Sequence, residues 1–171
     1  HYPQTKAMAE QLVINASKGG LPTIILRPHL IWGPGDNHLV PRILAKAKQL
    51  KKIGEGKNLV DTIYIDNAAD AHIMAADRLA ENPNFSGNIY FISQGEPMPL
   101  WDMVNAILNA GGLPPVQGRI SKQTAWIIGA LLESVYRLFR IKGEPRMTRF
   151  VAEELATAHW FDISAAKNDL G

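Results

Sequence analysis

The sequence predicts an α/β chain built on a parallel sheet. Three observations carry that prediction. Apolar and polar stretches alternate as strand and helix units along most of the chain. The run Thr23-Ile24-Ile25-Leu26-Arg27 is nearly continuous in apolar residues, as suits a parallel strand covered on both faces. The helical pattern of residues 2–18 is stopped by Gly19-Gly20 just before that run.

The elements follow in order. In the first helix Met8, Ala9, Leu12, Val13 and Ala16 fall on one face. Pro28 ends the first strand because it has no donor for a ladder, and residues 29–37 form a loop. A helix is predicted over residues 39–50, carrying a lysine cluster (Lys46, Lys48, Lys51, Lys52, Lys57) on its outer face. Residues 61–65 alternate as a strand, and Asp66 or Asn67 can cap a helix over residues 68–80. Residues 87–92 read as a strand, and a proline-started helix spans residues 99–109. Residues 111–115 are a linker, followed by an apolar helix over residues 125–139 and a short helix after Ser164.

Composition narrows the function classes. With 171 residues, 46% hydrophobic and 20% charged, the chain can bury a sizeable core. It has no cysteine, which removes disulfides, thiolate metal sites and cysteine nucleophiles. A formal net charge of +2, with no zinc-finger spacing or RNA-binding signature, argues against nucleic acid. Basic residues gather again at Arg137, Arg140, Lys142, Arg146 and Arg149, and both clusters read as solvated faces, with a membrane-surface role as the minority alternative. The apolar run over residues 125–132 falls well short of the roughly 20 residues needed to span a bilayer. Core packing is its first reading; a substrate lid and a membrane-surface helix are the alternatives. The polar opening lacks the pattern of a signal peptide, so the expected location is cytoplasmic, with membrane association left open.

Chemistry is concentrated at the start. Tyr2 and Lys6 stand at i and i+4, which places them on one helix face. An ammonium roughly 4 Å from a phenol in an effective dielectric of about 20 contributes about 4 kcal/mol. At about 1.36 kcal/mol per pH unit, a phenol that titrates near ~10 comes down by at most about three units, toward the range where proton transfer is efficient. Tyr136 and Arg140 have the same spacing, so spacing alone does not separate a catalytic pair from a solvated helix face. Ligands of open α/β sheets bind beyond the carboxyl ends of strands, which places Pro28, His29 and Leu30 at the edge of the crevice that Tyr2 faces. Asp70 and His72 lack a third ligand at motif spacing, so no metal is expected. The separation of Asp61 and Asp66 puts them on opposite faces of a strand, which argues against a paired acid and base.

The order of motifs then becomes recognisable. Tyr2-Pro3-x-Thr5-Lys6-Ala7-x-Ala9-Glu10, Leu26-Arg27-Pro28, Trp32-Gly33-Pro34-Gly35-Asp36 and Tyr64-Ile65-Asp66-Asn67-Ala68-Ala69-x-Ala71-His72 together resemble the extended short-chain dehydrogenase/reductase superfamily. Within it the chain most resembles the 3β-hydroxysteroid dehydrogenase/isomerase branch. The tail Trp160-Phe161-Asp162-Ile163-Ser164-x-Ala166-Lys167-x-x-Leu170-Gly171 is similar to that branch's end, and the resemblance covers essentially the whole chain.

The resemblance implies the C-terminal part of a Rossmann-like, doubly wound parallel sheet over residues 1–110, with interleaved substrate-binding elements, and a small, mainly helical substrate-binding region over residues 111–171. It implies Tyr2 as the acid and base on the substrate oxygen. Lys6 would tune that phenol and hold the ribose hydroxyls of NAD or NADP, and Pro28 and His29 would approach the nicotinamide end. Leu30, Trp32, His38 and Arg42 are the candidate substrate contacts. The glycine-rich phosphate loop, the acidic residue that selects between cofactors and the upstream serine or threonine of such enzymes belong before His1. About five strand and helix units of roughly 30 residues would hold them. The expectation is therefore a fragment, inactive and poor in cofactor affinity by itself, whose partner is the N-terminal half of the same protein. A homodimer is a further candidate.

Nucleotide-sugar members of the superfamily commonly carry arginine just before the aspartate of the strand matched here by residues 61–65. This chain has Val60, which cannot neutralise a diphosphate. The first reading is thus an oxidoreductase acting on a hydrophobic, sterol-like or long-chain secondary alcohol or ketone. A nucleotide-sugar epimerase or dehydratase gripping diphosphate through Arg42 is the second, and a dinucleotide-binding sensor or scaffold without turnover is the third.

Overall fold

The computed structural model describes residues 2–143 and 145–171, Tyr2 through its backbone alone. The chain opens with α1 (Tyr2–Lys18), β1 (Ile25–Pro28), β2 (Ile31–Trp32) and α2 (Leu39–Lys46). Next come β3 (Lys52–Ile53), β4 (Leu59–Val60), β5 (Ile63–Tyr64), α3 (Ile65–Glu81) and β6 (Ile89–Ile92). It continues through β7 (Met98–Pro99), α4 (Leu100–Ala110), β8 (Arg119–Ile120), α5 (Lys122–Leu138), α6 (Arg149–Glu154) and α7 (Ser164–Asp169). These elements form two compact units, one of residues 1–35, 61–96 and 161–171, the other of residues 36–60 and 97–160. Strands distant in sequence pair with each other, so each unit is assembled from separated stretches of the chain.

In the first unit β1 and β6 run parallel, from Ile25 opposite Ile89 to Pro28 opposite Ile92. A parallel pair needs a long crossover, and α3 lies on that connection. Beside it β2 and β5 also pair in parallel, Ile31 with Ile63 and Trp32 with Tyr64. The core comprises Ile63, Ala68, Ala75, Tyr90, Ile92, Ala166 and Leu170. Ala68, Ala71 and Ala75 line one face of α3, and such small side chains let the helix lie close on the strands. Along β6 Tyr90 and Ile92 point inward by the two-residue period of a strand. The Tyr90 hydroxyl donates to Asp169 at 2.8 Å and accepts from the Asn88 amide at 2.9 Å. Burial pushes the Tyr90 phenol up, so it remains a donor to Asp169.

Three local expectations give way here. The apolar face read on α1 stays outside, with Met8 and Leu12 exposed, and polar contacts tie the helix down: Glu10 binds Arg27, and Ser17 meets Ser86 at 3.1 Å. The strand β1 is half-buried along its length rather than covered on both faces. Neither Asp66 nor Asn67 caps α3. The chain turns from β5 into the helix without a loop, Tyr64 is the capping position, and Asp66 lies in the first turn at the positive end of the helix dipole. Asn67 instead donates to Gln94 at 3.0 Å. Asp66 is thus a helix residue and not a strand partner of Asp61.

The second unit is organised by α4, whose Leu100, Trp101, Met103, Val104 and Leu108 are buried. Around it β3 pairs in parallel with β8, and β4 in antiparallel with β7. Asp36 starts α2 by accepting from the backbone N–H groups of His38, Leu39 and Val40 at 2.7, 3.0 and 2.7 Å. Those bonds, Val40's first, hold its carboxyl below the usual aspartate range. Ser121 and Thr148 cap α5 and α6. The apolar helix is not chiefly a core element: α5 buries Ala125 and Gly129, while Ile127, Leu131, Leu138 and Phe139 remain exposed. It ends at Leu138, and Arg140 adopts a φ of 49°, so Tyr136 and Arg140 do not share a helix face. Among the described residues no helix is long and apolar enough to cross a membrane.

Gly129 marks where α5 meets the start of α6. A Cβ there would lie 2.6 Å from the backbone nitrogen of Arg149 and the carbonyl carbon of Thr148. Alanine favours a helix interior by about 1 kcal/mol over glycine, yet overpacking against backbone costs about 1–3 kcal/mol. Gly129→Ala is therefore expected to lower stability, and Leu108→Ala, at a side chain with 0% exposure, to cost about 2–5 kcal/mol. Denaturant midpoints of the two variants check both.

Candidate active site

The site begins with the first turn of α1. Pro3 is tolerated there because the first N–H groups of a helix have no internal partner. Lys6 follows Tyr2 by one turn, on the exposed side of the helix. The backbone thus sets the two residues on one face; the Tyr2 side chain lies outside the described residues.

Another turn along α1, Glu10 grips Arg27 of β1 in a fork. Arg27 Nε donates to Glu10 Oε2 at 2.8 Å, and its Nη2 donates to Oε1 at 2.5 Å. The two side chains keep 39% and 24% of their exposure, so the pair adds only about 0–1 kcal/mol to stability. Its geometric effect is larger, because paired parallel bonds define orientation as well as distance. The Arg27 guanidinium also sits 5.0 Å from the centre of the Phe91 ring, on the residue opposite it in β6. Phe91 stacks on Phe161 at 4.2 Å with 8° between the planes, and Phe161 meets His29 edge-on at 5.0 Å.

Pro28 and His29 therefore stand at the carboxyl end of β1, as predicted. His29 N–H donates to the Ile92 carbonyl at 3.1 Å, which extends the ladder past Pro28. Leu30 takes a φ of 45°, a left-handed conformation that non-glycine side chains disfavour by roughly 1–2 kcal/mol. Its carbonyl accepts from Ile63 N–H at 3.3 Å, which holds the turn between β1 and β2. Trp32 packs edge-on against Tyr64 at 5.2 Å, donates to Thr62 Oγ1 at 3.3 Å and is 41% exposed. Gly33 must be glycine, since a Cβ there would lie 2.5 Å from Ile65 Cγ2.

The first unit thus gathers Pro28, His29, Leu30 and Trp32 around one strand end, with α1 fastened to that strand. His38 and Arg42 belong to the second unit, where both are exposed at the start of α2. Val60 is buried in that unit, bridged to His159. His72 sets a ring nitrogen 2.6 Å from the Ala68 carbonyl, and among the described residues no three metal-ligating side chains cluster. Asp61, 1% exposed, is satisfied by Ser93 Oγ at 2.6 Å and by the N–H of Thr62 at 3.0 Å, and so clamps β5 to the end of β6.

Sequence reasoning missed Glu10, Arg27, Phe91 and Phe161 as parts of this arrangement. A signal existed for two of them: a lone arginine in an apolar strand requires a partner, and Glu10 continues the stripe of Tyr2 and Lys6 by another four residues. The aromatic contacts of Phe161 with Phe91 and His29 join segments 70 and 132 residues apart and have no local signature.

Parallel strands joined by helices, with a tyrosine and lysine on the helix that leads into the first strand, define the extended short-chain dehydrogenase/reductase class. The chain belongs to the 3-beta hydroxysteroid dehydrogenase/isomerase family, whose model matches residues 1–121. It is 50% identical to 2-alkyl-3-oxoalkanoate reductase of Stenotrophomonas maltophilia (strain K279a), over 99% of this chain and 52% of that protein. It is 36% identical to sterol-4-alpha-carboxylate 3-dehydrogenase erg26, decarboxylating, of Schizosaccharomyces pombe (strain 972 / ATCC 24843), over 99% and 51%. The chain spans about half the length of these curated relatives. Among solved structures it is similar to UDP-glucuronic acid 4-epimerase from Bacillus cereus in complex with NAD, with a TM-score of 0.64 and 19% identity over 99% of this chain and 45% of that one, a likeness of fold.

The Arg27 hydrogen bonds hold the Glu10 carboxyl below the usual glutamate range. Its contribution to stability is therefore complete above the unfolded value of about 4.3 and is lost as the pH falls through the lower folded value. Thermal melts between about pH 3 and 5 should show acid destabilisation that is shallower in Glu10→Gln than in the parent.

Proposed function

We propose that this chain carries the proton-transfer and substrate-proximal part of an NAD(P)-dependent reductase that interconverts a ketone and a secondary alcohol on a long-chain hydrophobic substrate, with a 2-alkyl-3-oxo acid as the favoured class. The observation that carries this reading is a tyrosine and a lysine one turn apart on a helix fastened to the strand that ends in Pro28 and His29. Relatives at 50% and 49% identity, both named 2-alkyl-3-oxoalkanoate reductase, support the substrate class.

The residues present fit the nicotinamide and ribose end of such a cofactor: an exposed ammonium on α1, and a strand end whose proline has an acceptor and no donor. When bound, the cofactor supplies or takes the hydride. In reduction Tyr2 donates a proton to the carbonyl oxygen as the carbon gains hydride, and in oxidation it takes that proton back. Lys6 stabilises the phenolate and holds the ribose hydroxyls. Pro28 and His29 present backbone to the nicotinamide, and Leu30 and Trp32 offer apolar surface to the substrate.

The test uses the full-length protein with NADH or NADPH and a panel of 2-alkyl-3-oxo acids, 3-oxo steroids and UDP-sugars. Turnover should be confined to the hydrophobic ketones. Tyr2→Phe should lower kcat by about 10²–10⁴-fold while cofactor affinity by fluorescence titration holds, and Lys6→Met should weaken both. Turnover of UDP-sugars alone would point to an epimerase, and cofactor binding without any turnover to a sensor; either result overturns the reading.

A further inference from the structure

The pair of Glu10 and Arg27 is costly in geometry and poor in stability. Half-exposed ion pairs of this kind add little to folding, yet two guanidinium nitrogens and both carboxylate oxygens are engaged. Its location explains more than its strength. Glu10 lies four residues beyond Lys6 and eight beyond Tyr2, so the three share a slowly turning stripe of α1. Arg27 lies one residue before Pro28 and two before His29. From Arg27 a continuous set of contacts runs over Phe91 and Phe161 to the His29 ring itself.

We propose that Arg27, forked to Glu10 and seated on Phe91, is a positioning residue that sets the rotation and axial height of α1 against the strand end. It thereby fixes the angle at which the face of α1 carrying Tyr2 and Lys6 stands to that strand end. The inference rests on the reductase reading above. A helix that slips by one residue moves about 1.5 Å and turns by about 100°, and a fork with bonds of 2.8 and 2.5 Å does not survive either displacement. A misplacement of about 1 Å costs on the order of 10²-fold in rate. Lysine at position 27 would keep the charge and lose the fork, because an ammonium is a point charge rather than a planar pair of donors. The lowered acidity range of the Glu10 carboxyl keeps the fork charged throughout the neutral range.

The experiment measures kcat, KM and their pH profiles for the full-length enzyme and for Arg27→Gln, Arg27→Lys, Glu10→Gln and the double variant with glutamine at both positions. In Arg27→Gln kcat should fall by about 10–100-fold, while KM for ketone and cofactor changes by less than about threefold. The pH dependence of kcat should shift, because the helix face that carries Tyr2 and Lys6 is no longer held at a fixed angle to the strand end. Arg27→Lys should behave as Arg27→Gln does, and the double variant should be no worse than either single one. An unchanged kcat and pH profile in folded Arg27→Gln, wild-type behaviour in Arg27→Lys, or additive losses in the double variant would overturn the proposal. If Arg27→Gln fails to fold, Glu10→Gln decides by the same readings, since it keeps the hydrogen-bonding shape without the charge. A full-length enzyme with no turnover on the ketone panel, or an active Tyr2→Phe, removes the reductase reading and this inference with it. An active parent, an inactive Tyr2→Phe and an unperturbed Arg27→Gln remove this inference alone.

Discussion

The parallel pairing of β1 with β6 is the constraint on which the first unit depends. It joins residue 25 to residue 89 and leaves no short way to connect the two. The intervening chain must cross over, and α3 does so with alanines toward the strands. The same pairing sets Arg27 opposite Phe91 and carries the ladder on to His29, whose N–H reaches Ile92. The contacts at the strand end are thus a consequence of register. A one-residue slip would turn Arg27 away from Glu10 and Tyr90 out of the core.

Polar contacts do unusual service in this unit. The helix α1 is held by a forked ion pair and by a pair of serines, while its larger apolar side chains remain exposed. Farther along, Asp169 collects the Tyr90 hydroxyl on its side chain and the Arg78 guanidinium on its carbonyl, and so closes α7 over the core. Such bonds contribute modestly to folding and strongly to orientation. That balance suits the proposed role of α1 in holding Tyr2 and Lys6 at a fixed height.

Much of the architecture was legible in the residues. Gly19-Gly20 stopped α1 where expected, and the apolar run before Pro28 became a parallel strand. The ends of α4, α5 and α7 fell within a few residues of the predicted ones. The exceptions have separate physical causes. The pattern of α1 and α5 announced apolar faces, but a periodic stripe says which side is apolar and not whether anything covers it. Capping residues do not mark the start of α3, because β5 runs directly into the helix through Tyr64. The short strands β3, β7 and β8 are pairs of residues held by distant partners, too brief for any period to register.

The sequence by itself determined the residue types and their local spacing: a phenol and an ammonium one turn apart, a strand closed by proline, and a motif order shared with one family. Those are properties of neighbours, set by helical and extended geometry. Only the tertiary structure decided that Glu10 reaches Arg27, that Phe161 lies between Phe91 and His29, and that His38 and Arg42 fall in a separate compact unit. The physical reason is that such contacts depend on the register of paired strands and the rotation of packed helices, which arise from the burial of the whole chain rather than from any short stretch of it.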